Sequence, residues 1–557
     1  MSTSMAKEQW SGRLGVILAV AGSAIGLGNF LRFPGVAAAN GGGAFMIPYF
    51  VAILLLGLPL MWVEWTIGRF GGGFGHSTAP GAFHTMWNKN RFIKYFGVIG
   101  IFGPIVIYIY YVYIESWLLG YSFFALAGKF PGAKGGVSDF LTQYTGGESG
   151  LHFSNLGTAY GFFLATFIVN IAVVYFGIRG GIERVCKIAM PLLLVMAVVL
   201  VVRVFTLGTP NPAQPDNNVI NGLGFLWNPD WSVLMNDQAW KTLTSAGVPF
   251  QERLGSLPYV LNAKVWLAAA GQVFFTLSVG IGAILTYASY LKKNDDVALS
   301  GLTSATANEF AEVVLGGSIV IPAAFAFFGA AATAQFAKGG TFDLGFLAMP
   351  MVLNHMPGGE FFGFLWFFLL FLAGITSSIS LSQPALAFLE DEFNLSRRES
   401  VILFAIVTFI LCHASVLGGM PVIGELDFWA SNFCLVVFAL VEAILFAWVF
   451  GMDRAWTELH AGSDIRIPRF YRFVLKYVTP LLLIVILGGW AWQELVPTLT
   501  LKGDPPDVKM GKTLSRILLV LMFAILCFLV WAVWRRRARE EQAALAPASP
   551  DASSEGL

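Results

Sequence analysis

Twelve runs of mostly apolar residues, at 12–38, 43–70, 95–126, 157–177, 185–206, 265–290, 299–328, 361–389, 400–419, 428–450, 474–495 and 514–534, are separated by polar connections. Each is about 20 residues or longer, enough for a helix to cross the hydrocarbon core, so the pattern predicts an all-α integral membrane protein of 12 transmembrane helices. Two runs are interrupted. In the first, Gly22-Ser23-Ala24-Ile25-Gly26-Leu27-Gly28-Asn29-Phe30-Leu31-Arg32-Phe33-Pro34 puts three glycines, an amide and a guanidinium at membrane depth. Gly costs about 1 kcal/mol against Ala in a helix interior, and freed backbone groups in hydrocarbon cost more unless something satisfies them, so a plain anchor has no use for this stretch. The sixth run repeats the oddity in Gln272-Val273-Phe274-Phe275-Thr276-Leu277-Ser278-Val279-Gly280-Ile281-Gly282. An offset of five spans reverses the second unit. Spans 1–5 and 6–10 are therefore expected to form a 5+5 inverted repeat with broken helices 1 and 6 near the midplane, a pattern that points to alternating access.

Charge sets the orientation. Basic residues fall in alternate connections, at Arg69, Lys89, Arg91 and Lys94, then Arg179, Arg184 and Lys187, then Lys292 and Lys293, then Arg397 and Arg398, then Arg454 to Lys476, and finally Arg535 to Arg539. The positive-inside rule makes these connections and both termini cytoplasmic, and turns 127–156, 207–264 and 329–360 outward. The expected organisation is a cytoplasmic N-terminus (1–11), a first repeat of spans 1–5 (12–206), an extracellular loop (207–264), a second repeat of spans 6–10 (265–450), spans 11–12 (451–534) and a disordered cytoplasmic tail (535–557) whose end has too little apolar surface to fold. The first run lacks a small-residue cleavage pattern and is expected to stay in the mature protein.

With 56% hydrophobic residues, 12% charged residues and a mean hydropathy of +0.70, the chain is too apolar for a soluble globular protein. A net charge of +1 argues against a nucleic-acid partner, leaving the lipid bilayer and a small solute. Cys186, Cys412, Cys434 and Cys527 lie in or beside apolar runs without metal-ligand spacing, and the six histidines show none either. Gly71-Gly72-Gly73-Phe74-Gly75 lacks the Gly-Lys-Ser/Thr ending of a phosphate loop and reads as a flexible inner loop.

The blocks Gly26-Leu27-Gly28-Asn29-Phe30-Leu31-Arg32-Phe33-Pro34, Asn40-Gly41-Gly42-Gly43-Ala44-Phe45, Tyr110-Tyr111-Val112-Tyr113-Ile114-Glu115-Ser116-Trp117, Ala373-Gly374-Ile375-Thr376-Ser377-Ser378 and Asp427-Phe428-Trp429 occur in that order. On these blocks the chain resembles the neurotransmitter:sodium symporter family over nearly its whole length, which implies a leucine-transporter-like fold. The poor matches are the long outer loops, where 232–262 carries an insertion, and the C-terminal tail.

The resemblance implies a site between the two breaks. A substrate carboxylate would meet the Leu27 and Gly28 amides, the Tyr111 hydroxyl and one sodium ion; its ammonium would meet the Ala24, Phe275 and Thr276 carbonyls and the Ser278 hydroxyl. The side chain would lie against Ile107, Tyr111, Phe275, Ser278, Ile281, Ser377 and Leu381. One sodium ion would take Ala24, Asn29, Thr276 and Asn308, and a second Gly22, Ile25, Ala373, Thr376 and Ser377, all oxygen donors of the kind hard cations prefer. Taken alone, Tyr111 is an ordinary interface aromatic, and Thr376 and Ser377 are hydroxyls that bond back to their own helix. Glu312, in a membrane span where a carboxylate is costly, would stand in for the chloride that animal members hold near the residues matching Tyr49, Gln272, Thr276 and Asn308, with a structural hydrogen-bonding acid as the alternative. Arg32 and Asp427 would form the outer gate, with Phe275 folding over the substrate, and Lys7 and Asp391 the inner gate near Ser289, Tyr290 and Gln383. Each gate has the alternative of a surface ion pair worth under about 1 kcal/mol.

Gly26 decides the substrate class, because monoamine transporters of the family carry an Asp there. A substrate at this site must bring its own carboxylate. Ile107, Ile281 and Leu381 replace the Val, Phe and Ile of the family's leucine-transporting members, so Leu, Met, Ile, Val or an aromatic amino acid fits. Glu64, Glu115 and Glu442 are candidates for tying down backbone groups of the broken helices. The expected function is sodium-coupled, chloride-independent import of a neutral, aliphatic amino acid at the cell (inner) membrane, using two sodium ions and no organic cofactor; a homodimer is compatible with it. The alternative is an amino-acid-binding sensor on the same fold, whose sequence mark would be an appended signalling domain. A channel fits paired broken helices less well, and no Ser/His/Asp or metal-spaced cluster in the spans suggests an enzyme.

Overall fold

The computed structural model describes residues 10–87, 90–131, 136–147, 150, 152–234, 241, 259, 262–339, 343–501 and 503–545, and among these it is helical with no strand. Nine helical stretches among the described residues have the length and composition to cross a bilayer, and the pair Arg13–Ala24 and Gly28–Ala39, bent by 45°, makes a tenth span. The stretch Arg397–Val449 holds two of the apolar runs and breaks between them at Gly419, whose φ is 61°. The sixth run forms two shorter helices, Ala263–Leu277 and Ala283–Ala288. The order of the twelve apolar runs is thus kept.

Burial separates a core from a periphery. Span 3 (Ile93–Leu126) has 89% of its apolar window buried and span 8 (Gly359–Phe393) 78%, whereas the window of span 12 (Val508–Glu540) has 22%. A protein in water would not leave Val485, Val520 and Ile410 each about two-thirds exposed on long apolar helices; in a bilayer those faces meet lipid. Span 2 (Gly43–Gly73) approaches the second half of span 6 through Gly68 and Gly72, where a Cβ would strike the carbonyls of Leu285 and Ser289. Two glycines four apart on one helix face allow this backbone contact, which gains dispersion energy where lipid offers no hydrophobic drive.

The two ends of the bundle are held by different contacts. At one end Arg13 pairs with Asp296 at 2.9 Å and Asp464 at 2.5 Å, Arg69 donates to the carbonyls of Asp295 and Ala461, and Lys187 pairs with Glu183. At the other, Asn354 donates to the Pro131 carbonyl and Arg203 to the Pro357 carbonyl. The connections there are not bare loops, for they carry the helices Gly136–Tyr144, Val219–Trp227 and Met349–His355; Asn218 caps the second by accepting from the Asn221 amide at 2.8 Å. Most of the 232–262 insertion lies outside the described residues.

The chain end needs a correction. The helix of span 12 runs from Pro506 to Leu545, so residues 535–545, expected as disordered tail, are ordered. Arg535 to Leu545 contains good helix formers and an i,i+4 pair, Arg536–Glu540 at 3.6 Å, that let a membrane helix continue past the bilayer. Residues 546–557 lie outside the described residues.

Candidate functional site

The first span stops being helical at Ile25, whose ψ is 85°, and resumes at Gly28. The freed groups are claimed by side chains. The Gly26 amide donates to Asn29 Oδ1 at 2.8 Å and the Leu27 amide to the Tyr111 hydroxyl at 3.2 Å. The first helix of the sixth span ends at Leu277; Ser278, Gly280 and Gly282 then take positive φ of 53°, 77° and 89°. Glycine adopts this region without cost, and the strain at Ser278 is offset by its hydroxyl, which donates to the Ser23 carbonyl at 2.9 Å across to span 1. Glu64 accepts the Gly280 amide, the tie-down role its position suggested. Glu115 accepts from Asn170 at 3.1 Å, which in turn accepts from Ser378 at 2.6 Å, fastening span 8 to spans 3 and 4 rather than serving a break.

Between the breaks lies a small cavity lined by Ala24, Leu27, Gly28, Ile107, Tyr111, Phe275, Ser278, Ile281, Ser377 and Leu381, all named from the sequence. Of that expected lining only Thr276 faces elsewhere. Gly26, Ser23, Ala283, Ser380 and Ser431 complete the wall, and the Ser23 and Ser380 hydroxyls are 2.5 Å apart. Ser380 was missed, although it lies three residues from Ser377 and so on the same face of span 8.

Thr276 points instead into a cluster of oxygens beside the cavity. Asn29 Nδ2 lies 3.1 Å from Thr276 Oγ1 and 2.8 Å from Asn308 Oδ1. The Asn308 amide is also 3.2 Å from the carbonyl oxygens of both Ala24 and Thr276. Ala24, Thr276 and Asn308, from spans 1, 6 and 7, thus bring carbonyl, hydroxyl and amide groups together, with the Asn29 amide nitrogen among them while its oxygen holds the Gly26 amide; carbonyl and hydroxyl oxygens are donors that suit a hard cation. In the second expected set, Thr376 Oγ1 and Ser377 Oγ each lie 3.1 Å from the Ala373 carbonyl, and Ser377 Oγ also reaches the Gly22 carbonyl at 3.4 Å. Among the described residues Thr376 bonds to its own helix, as hydroxyls in membrane helices commonly do, whereas Ser377 joins span 8 to span 1. Ile25 sits at the break itself.

Glu312, fully buried in span 7, accepts from Tyr49 at 2.7 Å and from Gln272 at 3.0 Å. Tyr49 also meets Glu309 at 2.8 Å, a second carboxylate that the sequence reading left without a role. An acid is thus seated among the side chains expected to surround an anion.

The gates depart from expectation. Arg32 does not pair directly with Asp427: its guanidinium donates to Asn432 at 3.2 Å and lies 4.4 Å from the centre of the Phe275 ring, while Asp427 accepts from Tyr110 at 2.7 Å. The separation has a physical reason, for Arg32 lines a vestibule of about 670 Å³ that keeps this end open. Phe275, beneath the Arg32 guanidinium, lines the cavity on the vestibule side, and Ser431 lines both spaces. Lys7 lies outside the described residues, and Asp391 accepts the Ser77 amide at 2.7 Å. The same end is closed by residues not singled out before: Trp10 donates to the Tyr287 carbonyl at 3.0 Å and packs edge-on against that ring, and Arg13 holds Asp296.

Paired broken helices enclosing a small cavity inside a multi-pass helical bundle are the architecture of a secondary transporter. Comparison with known proteins agrees. The model of the Sodium:neurotransmitter symporter family matches residues 7–144 and 253–531. An uncharacterized sodium-dependent transporter of Methanocaldococcus jannaschii is 30% identical over 496 residues, 87% of this chain and 90% of its own length. The sodium-dependent serotonin transporter of Drosophila melanogaster is 25% identical over 517 residues, 87% of this chain and 76% of its own. The crystal structure of MhsT in complex with L-phenylalanine superposes with a TM-score of 0.70 at 28% identity, over 86% of this chain and 99% of that one. The chain belongs to the sodium:neurotransmitter symporter family. It is a multi-pass secondary transporter of the leucine-transporter-like fold, with the 5+5 inverted repeat, and not an enzyme.

Proposed function

We propose that the protein imports a neutral amino acid together with two sodium ions, without chloride, at the inner membrane with both termini cytoplasmic. The observation that carries the reading is the polar cluster of Ala24, Asn29, Thr276 and Asn308 beside the cavity whose wall includes Leu27 and Tyr111. A carboxylate at those amides adds a negative oxygen to the cluster, so ion and substrate each lower the other's cost of binding. The second ion, at Gly22, Ile25, Ala373, Thr376 and Ser377, ties span 1 to span 8 and favours the outward-open form. Gly26 leaves no acid to pair with an amine, and Ile107, Ile281 and Leu381 suit an aliphatic side chain first. The phenylalanine bound to MhsT supports an amino acid as the solute. Domain limits follow the two repeats, spans 1–5 and 6–10, with spans 11–12 outside them, and a homodimer is compatible with the exposed apolar faces.

The reading is tested by uptake of labelled leucine, methionine and phenylalanine into sealed vesicles under an imposed sodium gradient. Overshoot that disappears when potassium replaces sodium supports it; gradient-independent equilibration contradicts coupling. Tyr111→Phe removes the hydroxyl 3.2 Å from the Leu27 amide, and sodium-dependent binding is expected to weaken about tenfold, the equivalent of ~1.4 kcal/mol for a lost buried hydrogen bond. Glu312→Ser deletes the fixed carboxylate held by Tyr49 and Gln272, so binding should become chloride-dependent. Equal binding of that variant in chloride and in gluconate would remove Glu312 from the anion's place.

A further inference from the structure

Glu392 ends span 8 with its side chain only 1% exposed, paired with Arg537 at 2.8 Å and 3.6 Å from His76 Nδ1. Arg536 donates to the Glu392 carbonyl, and Arg537 reaches the Asp391 carbonyl at 3.5 Å. These carbonyls belong to the last turn of a helix that stops at Phe393, where no intrahelical N–H remains to satisfy them. Two guanidinium groups therefore cap the helix from outside, and their charge opposes the negative end of its dipole. The Asp391 carboxylate meanwhile holds the Ser77 amide. Trp534 seals the joint, its ring 5.1 Å from Lys94 Nζ and 5.5 Å from the Arg537 guanidinium. Trp534, Arg536 and Arg537 lie beyond residue 531, where the family match ends, whereas the residues they hold lie inside it.

We propose that the Arg536–Arg537 end of span 12 is a lock on the cytoplasmic gate. Span 8 is one continuous helix from Gly359 to Phe393, so the segment that holds Thr376, Ser377 and Leu381 at the site moves with the end that the arginines grip. Moving that end away from residues 76–77 and span 12 breaks the Glu392–Arg537 pair and leaves a carboxylate buried without a counter-charge, which strongly opposes the motion. The lock thus biases the molecule toward the form seen here, closed by Trp10 on Tyr287 and by Arg13 on Asp296 and open through the vestibule. The cytoplasmic placement of this lock rests on the proposed orientation, while its action is independent of the solute.

The test is amide hydrogen exchange read by mass spectrometry on the full purified chain in detergent with sodium chloride and no amino acid. In Arg536→Gln/Arg537→Gln, exchange across residues 284–296, which line the closed end, should quicken at least fivefold. Arg536→Lys/Arg537→Lys, which keeps the charge, should restore part of the protection. Faster exchange confined to residues 388–395 would show an external cap alone and overturn the lock. Should the double variant fail to fold, Glu392→Gln keeps both carbonyl caps and removes only the ion pair. It should quicken exchange at 284–296 about twofold, and wild-type exchange there would equally overturn the proposal. Because no solute is present, a failure here leaves the transport reading standing.

Discussion

Gly26→Asp is expected to abolish amino-acid binding. A Cβ at Gly26 would lie 2.6 Å from Ser377 Oγ and 3.0 Å from the Tyr111 hydroxyl, so even the first added carbon displaces two side chains of the cavity wall. A carboxylate at that position would compete with the substrate's own carboxylate for the Leu27 and Gly28 amides and repel it at low dielectric. The expected loss in affinity is about 100-fold or more, ~2.7 kcal/mol, read by equilibrium binding of labelled amino acids in sodium chloride. Gly26→Ala separates the two causes: it adds the steric part alone and should lose less. An Asp variant that bound neutral amino acids like the wild type would mean that the carboxylate lies elsewhere.

The second large effect is expected of Asn29→Ala. Asn29 is fully buried and joins three elements, accepting the Gly26 amide at 2.8 Å and meeting Thr276 Oγ1 at 3.1 Å and Asn308 at 2.8 Å. Its removal leaves a backbone amide, a hydroxyl and an amide short of partners, each costing about 1–3 kcal/mol. Part of that cost falls on the fold and part on the ion. Sodium titration should show an apparent affinity lowered at least about 100-fold, by the conversion of roughly 2.7 kcal/mol. Asn29→Asp keeps an acceptor for Gly26 and a cation-binding oxygen while losing the donors, and should recover sodium binding in part. A well-folded Ala variant with unchanged sodium affinity would dissociate the oxygen cluster from the ion.

Much of this architecture is legible in the sequence because membranes simplify the physics. Apolar length gives the spans, and glycines such as Gly26, Gly28, Gly280 and Gly282 mark where a helix must break. The cavity wall was legible by resemblance, since short blocks fix residues such as Tyr111 and Ser377 in register with the breaks. What escaped depends on partners distant in sequence. Ser380 looks like any small residue of a membrane helix until Ser23 is found 2.5 Å away. Arg13 and Trp10 carry no local signal of the gate they close, because Asp296, Asp464 and Tyr287 lie hundreds of residues onward. Arg32 and Asp427 were matched as a pair, yet with the vestibule open each takes a nearer partner, Asn432 and Tyr110. The expectation of a disordered tail from residue 535 rests on the scarcity of apolar surface at the chain end, and it misses that the buried Glu392 supplies a counter-charge to Arg537.

The central claim is that sodium and a neutral amino acid bind together at the paired breaks. The most direct measurement is binding of a panel of labelled neutral amino acids to the purified protein in sodium chloride, sodium gluconate and potassium chloride. Saturable binding that is equal in the two sodium salts and absent in potassium is the predicted result. Binding of equal strength in potassium would contradict it, leaving the fold in place and removing the ion from the mechanism.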